Sequence, residues 1–123
     1  MKIENIKFKA KKTLDGKWIK GDLVHHKDSD NVWMTDFEKR LTSPIDPSTI
    51  CQFTGLKDCK GNEIWEGDMI KSPYLENVAT VEWDDSLCGF KCVDERRYIN
   101  YSLRALVESS GWYLIGNKFD KKK

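Results

Sequence analysis

The stretch that most constrains the fold is the seventeen residues Gln52-Phe53-Thr54-Gly55-Leu56-Lys57-Asp58-Cys59-Lys60-Gly61-Asn62-Glu63-Ile64-Trp65-Glu66-Gly67-Asp68. Thr49, Cys51 and Phe53 alternate with Ile50, Gln52 and Thr54, the period of a half-buried strand. Gly55 permits a bend, Lys60-Gly61-Asn62 supplies a hairpin turn, and Ile64-Trp65 restarts the apolar run. Glu66-Gly67-Asp68 then reads as a tight turn into Met69-Ile70-Lys71, with the acids bonding nearby backbone amides. Two strand signals and two turn signals in so short a span leave no room for a helix of ordinary length.

The rest of the chain repeats this pattern. Ile6, Phe8 and Ala10 alternate with Lys7 and Lys9, Asp15-Gly16 supplies turn residues, and Trp18-Ile19 begins a returning strand, so an N-terminal β-hairpin is predicted. Leu23-Val24 continue it, and His25-His26, adjacent in an extended segment, point to opposite faces and do not chelate one ion together. Residues 27–43 read as a loop with a short strand around Val32-Trp33-Met34. Ser43-Pro44-Ile45-Asp46-Pro47 is strong punctuation, because each proline fixes its own φ and restricts its predecessor. Val78 to Trp83 reads as a strand with Ala79, Val81 and Trp83 on one face, and Asp84-Asp85-Ser86 as a turn into a Cys88-Phe90-Cys92 strand. Leu103, Leu106 and Val107 sit at helical spacing behind Asn100 or Ser102 as N-cap. Trp112 to Ile115 closes as a strand.

These segments predict a mainly β domain, a small antiparallel SH3-like partly open barrel with an N-terminal β-hairpin and at most one short helix. One domain spans about 1–117, with a hairpin lobe over about 1–45 and the barrel over about 46–117. Residues 118–123 read as a basic, solvated tail.

The 123 residues suffice for a self-supporting core. Lys+Arg number 21 and Asp+Glu 20, so the net charge of +1 argues against a surface that grips nucleic acid everywhere and leaves room for a local basic patch. No apolar run approaches a membrane span, and the first ten residues are polar and strand-like, so a cytoplasmic protein is expected. Cys51, Cys59, Cys88 and Cys92 lack zinc-site or C-x-x-C spacing. Cys88 and Cys92 are read as small core hydrophobes beside Phe90.

The Gln52-to-Asp68 run resembles the hallmark of the YopX-like proteins, small proteins of phages and prophages, in which Q-[YF]-T-G-L-x-D leads through a Gly turn to E-[IVL]-[YFW]-E-G-D. The likeness extends to Ile6-Lys7-Phe8-Lys9-Ala10, Trp18 with Gly21, Asp46-Pro47-Ser48-Thr49-Ile50, Val81 with Trp83, Gly89-Phe90 and Ile115-Gly116-Asn117. Two departures stand out. Lys11-Lys12 replace an aromatic-acidic pair, and the tail after Asn117 differs from the usual I-Y-E-N-P. The resemblance implies a phage or prophage accessory protein in the cytoplasm of a bacterial host and names no reaction. It marks Gln52, Thr54, Gly55, Leu56, Asp58, Gly61, Glu66, Gly67 and Asp68 as family-motif positions, read here as structural.

No nucleophile with its base, opposed carboxylate pair or regular ligand cadence is present, so no enzyme and no cofactor is expected. The nearest constellation to a metal site is Asp58, Glu63, Glu66 and Asp68 with His25 or His26, without EF-hand spacing. Lys7-Phe8-Lys9, Lys17-Trp18, Arg96-Arg97-Tyr98 and Tyr101 interleave aromatic and basic groups, which makes a nucleic-acid-binding barrel the alternative reading. The preferred reading is a non-enzymatic binding or assembly module that self-associates as a homo-oligomer. Its candidate contact residues are Trp33, Met34, Tyr98 and Tyr101, because aromatics and Met are enriched at interface cores.

Overall fold

The computed structural model describes residues 2–27, 30–73, 78–94, 100–108 and 111–120. Within them the period-two runs form antiparallel strands, joined by tight turns and accompanied by one short α-helix, as the sequence predicts. The chain divides into two compact units, Met1–Phe53 and Thr54–Lys123.

In the first unit, β1 (Phe8–Lys11) and β2 (Trp18–His25) form the expected hairpin. Its turn is fixed by Asp15, whose Oδ1 accepts the Lys17 amide at 2.9 Å, and by the Lys12 amide donating to the Lys17 carbonyl at 3.0 Å. β3 (Val32–Asp36) and β4 (Thr42–Ile45) follow, and β5 (Cys51–Lys57) returns beside β1, in the order β4-β3-β2-β1-β5. Residues 27–43, expected as a loop with a short strand, thus hold β3 and the start of β4. Their turn is capped by Asp36, whose Oδ1 accepts the amides of Glu38 and Lys39 at 2.8 and 3.3 Å. The proline punctuation lies inside the unit: Pro44 is accommodated in β4, and Asp46 caps a 3-10 turn over Pro47–Thr49 by accepting the Ser48 amide.

Alternation carries Ala10, Ile19, Met34 and Ile45 to one face as a core, with Phe8, Leu23, Val32 and Ile50 against it. The sheet curls over that core until Lys12 bridges Ile45, with the Thr13 amide donating to the Pro44 carbonyl at 3.2 Å and the Asp46 amide to the Lys11 carbonyl at 2.9 Å. Gly21 lets β2 approach β3 closely, since a Cβ there would lie 1.8 Å from the Thr35 carbonyl oxygen. Glycine's missing side chain is what keeps β2 continuous at this point.

In the second unit, Thr54–Lys57 of β5 lead to β6 (Glu63–Trp65), then β7 (Asp68–Lys71), β8 (Val78–Asp84), β9 (Gly89–Asp94), β10 (Asn100–Ser102), α1 (Leu103–Glu108) and β11 (Tyr113–Asn117). The main sheet runs β10-β9-β8-β7-β11. Its ends, β10 and β11, are both edges, so the described residues close no barrel. Ile64, Ile70, Ala79, Val81, Cys92, Leu103, Leu106 and Trp112 form the core, with Leu56, Phe90 and Val107 packed on it. The helix is capped as predicted: Ser102 Oγ accepts the Ala105 amide at 3.3 Å.

Two packing expectations change. Cys88 does not share the buried face of Cys92; it lies exposed in the β8–β9 turn at φ +49°, and the strand starts only at Gly89. Cys92 is fully buried, and burial pushes its thiol up to about 12. Trp83 shares the period of Ala79 and Val81 but sits near the strand end, 45% exposed, where its indole N–H donates to Asp85 Oδ1 at 2.7 Å and its ring meets Phe90 edge-on at 5.2 Å.

Candidate functional site

The hallmark acids lie at two turns of the second unit. Asp58 closes the β5–β6 hairpin. Its Oδ1 accepts the amides of Lys60 and Asn62 at 2.9 and 2.8 Å, and its Oδ2 accepts the Asn62 side-chain amide at 3.2 Å and the Leu114 amide at 2.8 Å. One carboxylate thereby ties its own turn to a strand 56 positions away. Burial raises its pKa, but the N–H donors of Leu114, Asn62 and Lys60 outweigh that and hold the carboxyl below its ordinary value.

Asp68, 1% exposed, works the β6–β7 turn. Its Oδ2 accepts the Trp65 amide at 2.7 Å and its Oδ1 the Asn117 side-chain amide at 2.9 Å. The same Asn117 amide nitrogen reaches the Glu66 carbonyl at 3.3 Å, and Asn117 Oδ1 accepts the Phe119 amide at 2.9 Å. Gly67 completes the lock: its amide donates to the Val81 carbonyl at 2.8 Å and its carbonyl accepts the Lys118 amide at 2.9 Å. Its φ of +85° and the Asn117 side chain 3.2 Å from where a Cβ would stand both require glycine.

The remaining motif positions serve the same hairpins. Thr54 Oγ1 donates to the Ile64 carbonyl at 2.6 Å and accepts the Leu56 amide at 3.2 Å, while Leu56 packs on the core. Gly55 and Gly61 occupy positive φ, and Gln52 is exposed on β5. The start of the supposed basic tail is folded: the Asn117 amide donates to Asp120 Oδ2 at 2.9 Å, and Lys118 Nζ lies 5.0 Å from the Phe119 ring centroid.

This geometry bears on the metal constellation considered above. The oxygens of Asp58 and Asp68 accept protein N–H groups, whereas His25 and His26 belong to the first unit and are exposed. Among the described residues, no group of three or more His, Cys, Asp or Glu is placed to hold a metal ion.

A different surface emerges in the first unit. The β1–β2 register pairs Lys9 with Lys20 and Lys11 with Trp18, on the face opposite Ala10 and Ile19. The Phe53 amide donates to the Lys7 carbonyl at 3.0 Å, and on β5 this face is covered: Cys51, across from Lys9, is fully buried and Phe53 is 5% exposed. Lys9 and Lys11 both place Nζ over the Trp18 ring, at 4.8 and 5.4 Å from its centroid, and Lys7 lies over Phe53 at 4.6 Å. Residues 7–20 carry six lysines and one acid, so the near-neutral charge of the whole chain conceals a strongly cationic hairpin. Lys7, Lys9, Lys11 and Trp18 are all half-buried, their lysine stems lying along the sheet.

Of the expected contact residues, Trp33 is half-buried on the same sheet face, paired with Val24 and Pro44. Met34 is removed from that list: it is fully buried in the first core, because its register with Leu23 turns it to the opposite face. Tyr98 lies outside the described residues. Tyr101 pairs with Cys92 through its backbone in β10.

Sequence reasoning did not single out Asn117 or Lys20. Asn117 stood in the quoted Ile115-Gly116-Asn117 match, and its burial at 3% exposure was the missing information. Lys20 was reachable by counting back from the Asp15-Gly16 turn, which sets it across from Lys9.

No helix among the described residues is long and apolar enough to cross a membrane. The chain matches no curated protein. The family model described as YopX protein matches residues 7–122, nearly the whole length, and the chain therefore belongs to the YopX family.

Proposed function

We propose that this chain is a non-enzymatic binding module whose second unit is a scaffold and whose first unit presents a polyanion-binding face. The observation that carries this reading is the lysine ladder over aromatic rings, Lys7 on Phe53 and Lys9 with Lys11 on Trp18. Rings that hold ammonium groups pre-order long side chains that would otherwise lose rotamer freedom on binding. The carboxylates of Asp58 and Asp68, in contrast, are occupied as acceptors of backbone and side-chain amides, which favours a structural role for these two over acid-base chemistry. The setting we infer is the cytoplasm of a bacterium carrying a phage or prophage, in line with the resemblance of the hallmark.

Retention on immobilised heparin tests the reading. Wild type should elute well above 0.1 M salt, and the triple variant Lys7→Gln/Lys9→Gln/Lys11→Gln should elute markedly earlier. Equal elution of the two would remove this face from consideration.

Self-association is the second reading, favoured by the cross-strand group Val24, Trp33 and Pro44. Light scattering coupled to size exclusion, with Trp33→Glu as the variant, reads it directly. A wild type that stays at 14.3 kDa across micromolar concentrations would exclude it.

A further inference from the structure

We infer, building on the self-association reading, that copies of this chain join head to tail, the β8–β9 turn of one molecule docking on one end of the first unit of the next. The receiving end is formed by the β1–β2 and β3–β4 turns. They lie together because the Phe37 amide donates to the Lys20 carbonyl at 3.1 Å and the Thr13 amide to the Pro44 carbonyl at 3.2 Å. Three large apolar side chains stand out there: Leu14 at 93% exposure, Leu41 at 63% and Phe37 at 48%. Single exposed leucines are ordinary on a protein surface, but apolar groups gathered at one end mark a docking patch. Beside Leu14, a cavity of about 440 Å³ is lined by Lys12, Thr13, Leu14, Ser43 and Pro44. Residues 12–17 and 37–41 carry four cations and two acids. Of the acids, Asp15 is engaged by the Lys17 amide and by Lys12 Nζ at 3.3 Å, which leaves Lys17, Lys39 and Arg40 as exposed cations against Glu38.

The β8–β9 turn carries the complement. Residues 82–91 hold three acids and one lysine, and Leu87 and Trp83 are exposed at the tip. The turn is set in advance: Asp84 Oδ1 accepts the Ser86 amide at 2.8 Å, the Ser86 hydroxyl at 2.6 Å and the Leu87 amide at 3.3 Å, and the Cys88 amide donates to the Asp85 carbonyl at 3.3 Å. Leu87 is thereby presented with little left to order on binding, beside the exposed Asp85. Leu14, Leu41 and Leu87 all stay exposed within one molecule, so the match is made between copies. Seating Leu87 in the cavity beside Leu14 takes both from water and brings an acidic turn to a cationic end. Such a contact is heterologous: each joined copy keeps one end open, and copies add in a row or close a ring. Two turns bury little surface, so the association is weak and depends on concentration.

The test is light scattering coupled to size exclusion across micromolar concentrations. Wild type should rise above 14.3 kDa with concentration and fall back as salt screens the turns. Leu14→Glu and Leu87→Glu should each weaken association by about 10-fold or more, since each puts a charge into the contact. Mixed in equal amounts, the two variants should give a species of twice 14.3 kDa and nothing larger, because the intact end of one fits the intact turn of the other. Far-UV circular dichroism checks that both are folded, and Leu41→Glu replaces Leu14→Glu if that variant is not. A mixture that stays monomeric while wild type associates overturns the inference and leaves self-association through Trp33, which Leu87→Glu does not touch and Trp33→Glu abolishes. Wild type at 14.3 kDa throughout overturns both; its cosedimentation with phosphatidylserine vesicles, lost in Leu14→Glu, would then give this end to a lipid surface.

Discussion

The two units use polar chemistry in opposite directions. In the second, Asp58, Asp68 and Asn117 are buried or nearly so, and their side chains accept or donate hydrogen bonds that hold turns to distant strands. In the first, the buried residues are mostly apolar, and the distinctive charges are half-buried lysines set over the half-buried Trp18 and the buried Phe53. A buried carboxyl is costly unless every oxygen has donors, so acids of the second kind are committed to the fold. A lysine over a ring, half-buried as these are, covers apolar surface with its stem. Net charge alone, at +1, blurs this difference entirely.

The contrast breaks most visibly at Asp68. Asp68→Ala takes its acceptor from the Trp65 amide and one of two acceptors from the Asn117 side-chain amide, which keeps the Glu66 carbonyl, in a buried turn, at about 2 kcal/mol for each N–H left unmatched. Urea denaturation should therefore show a loss of about 4 kcal/mol. Cys92 and Cys51 report the two units separately, since both are fully buried and only opened units alkylate them. Mass spectrometry of iodoacetamide-treated Asp68→Ala should find Cys92 modified before Cys51; the reverse order would mean that Asp68 does not serve its own unit.

Gly21→Ala is the matching probe of the first unit. The new methyl group meets the Thr35 carbonyl and forces β2 from β3, a cost of about 3 kcal/mol. Here Cys51 should become reactive first. A wild-type denaturation midpoint would show that the two strands part more easily than their register suggests.

Asp58→Asn sharpens the comparison through pH. The folded carboxyl is held below its unfolded value of about 3.9, so its stabilisation is complete above that value and is lost as pH falls through the lowered folded value. Asp58→Asn should cost about 2 kcal/mol at neutral pH by removing a charged acceptor and should flatten the acid limb of the stability curve below pH 4. An acid limb as steep as that of wild type would assign it to other groups. Asp84 contributes in the same direction: the Ser86 hydroxyl and the Lys91 ammonium at 3.0 Å hold its carboxyl far below the usual carboxylate range.

The smallest effect belongs to the lysine face. Lys9→Gln should change stability by about 1 kcal/mol, between the exposed and desolvated ranges of a cation–π contact, since Lys9 and Trp18 are half-buried. A loss comparable to that of Asp68→Ala would mean that the ladder holds the sheet together, and the distinction between an inward-facing and an outward-facing unit would fail.

Local chemistry made the strands and turns legible. Asp15-Gly16, Lys60-Gly61-Asn62 and Ser102 act on residues a few positions away, so their turn and cap could be read from neighbours alone. The region 27–43 was harder, because the β3–β4 turn depends on Asp36 capping a loop with Arg40 at φ +56° and carries no glycine or proline signal at its tip. Met34 and Cys88 were misassigned for related reasons. A one-residue difference in register or in strand start sends a side chain to the other face or into a turn.

What the sequence by itself determined was therefore the strand period, the turn chemistry, the capped helix and the family hallmark, all set by interactions over a few residues. Only the tertiary structure decided that Asp58 reaches Leu114, that Asn117 enters the Glu66-Gly67-Asp68 turn, and that two lysines share one indole. Each of those depends on which strands pair and in which register. Pairing is fixed by burying two separate cores at once, a condition on the whole unit that no short segment contains.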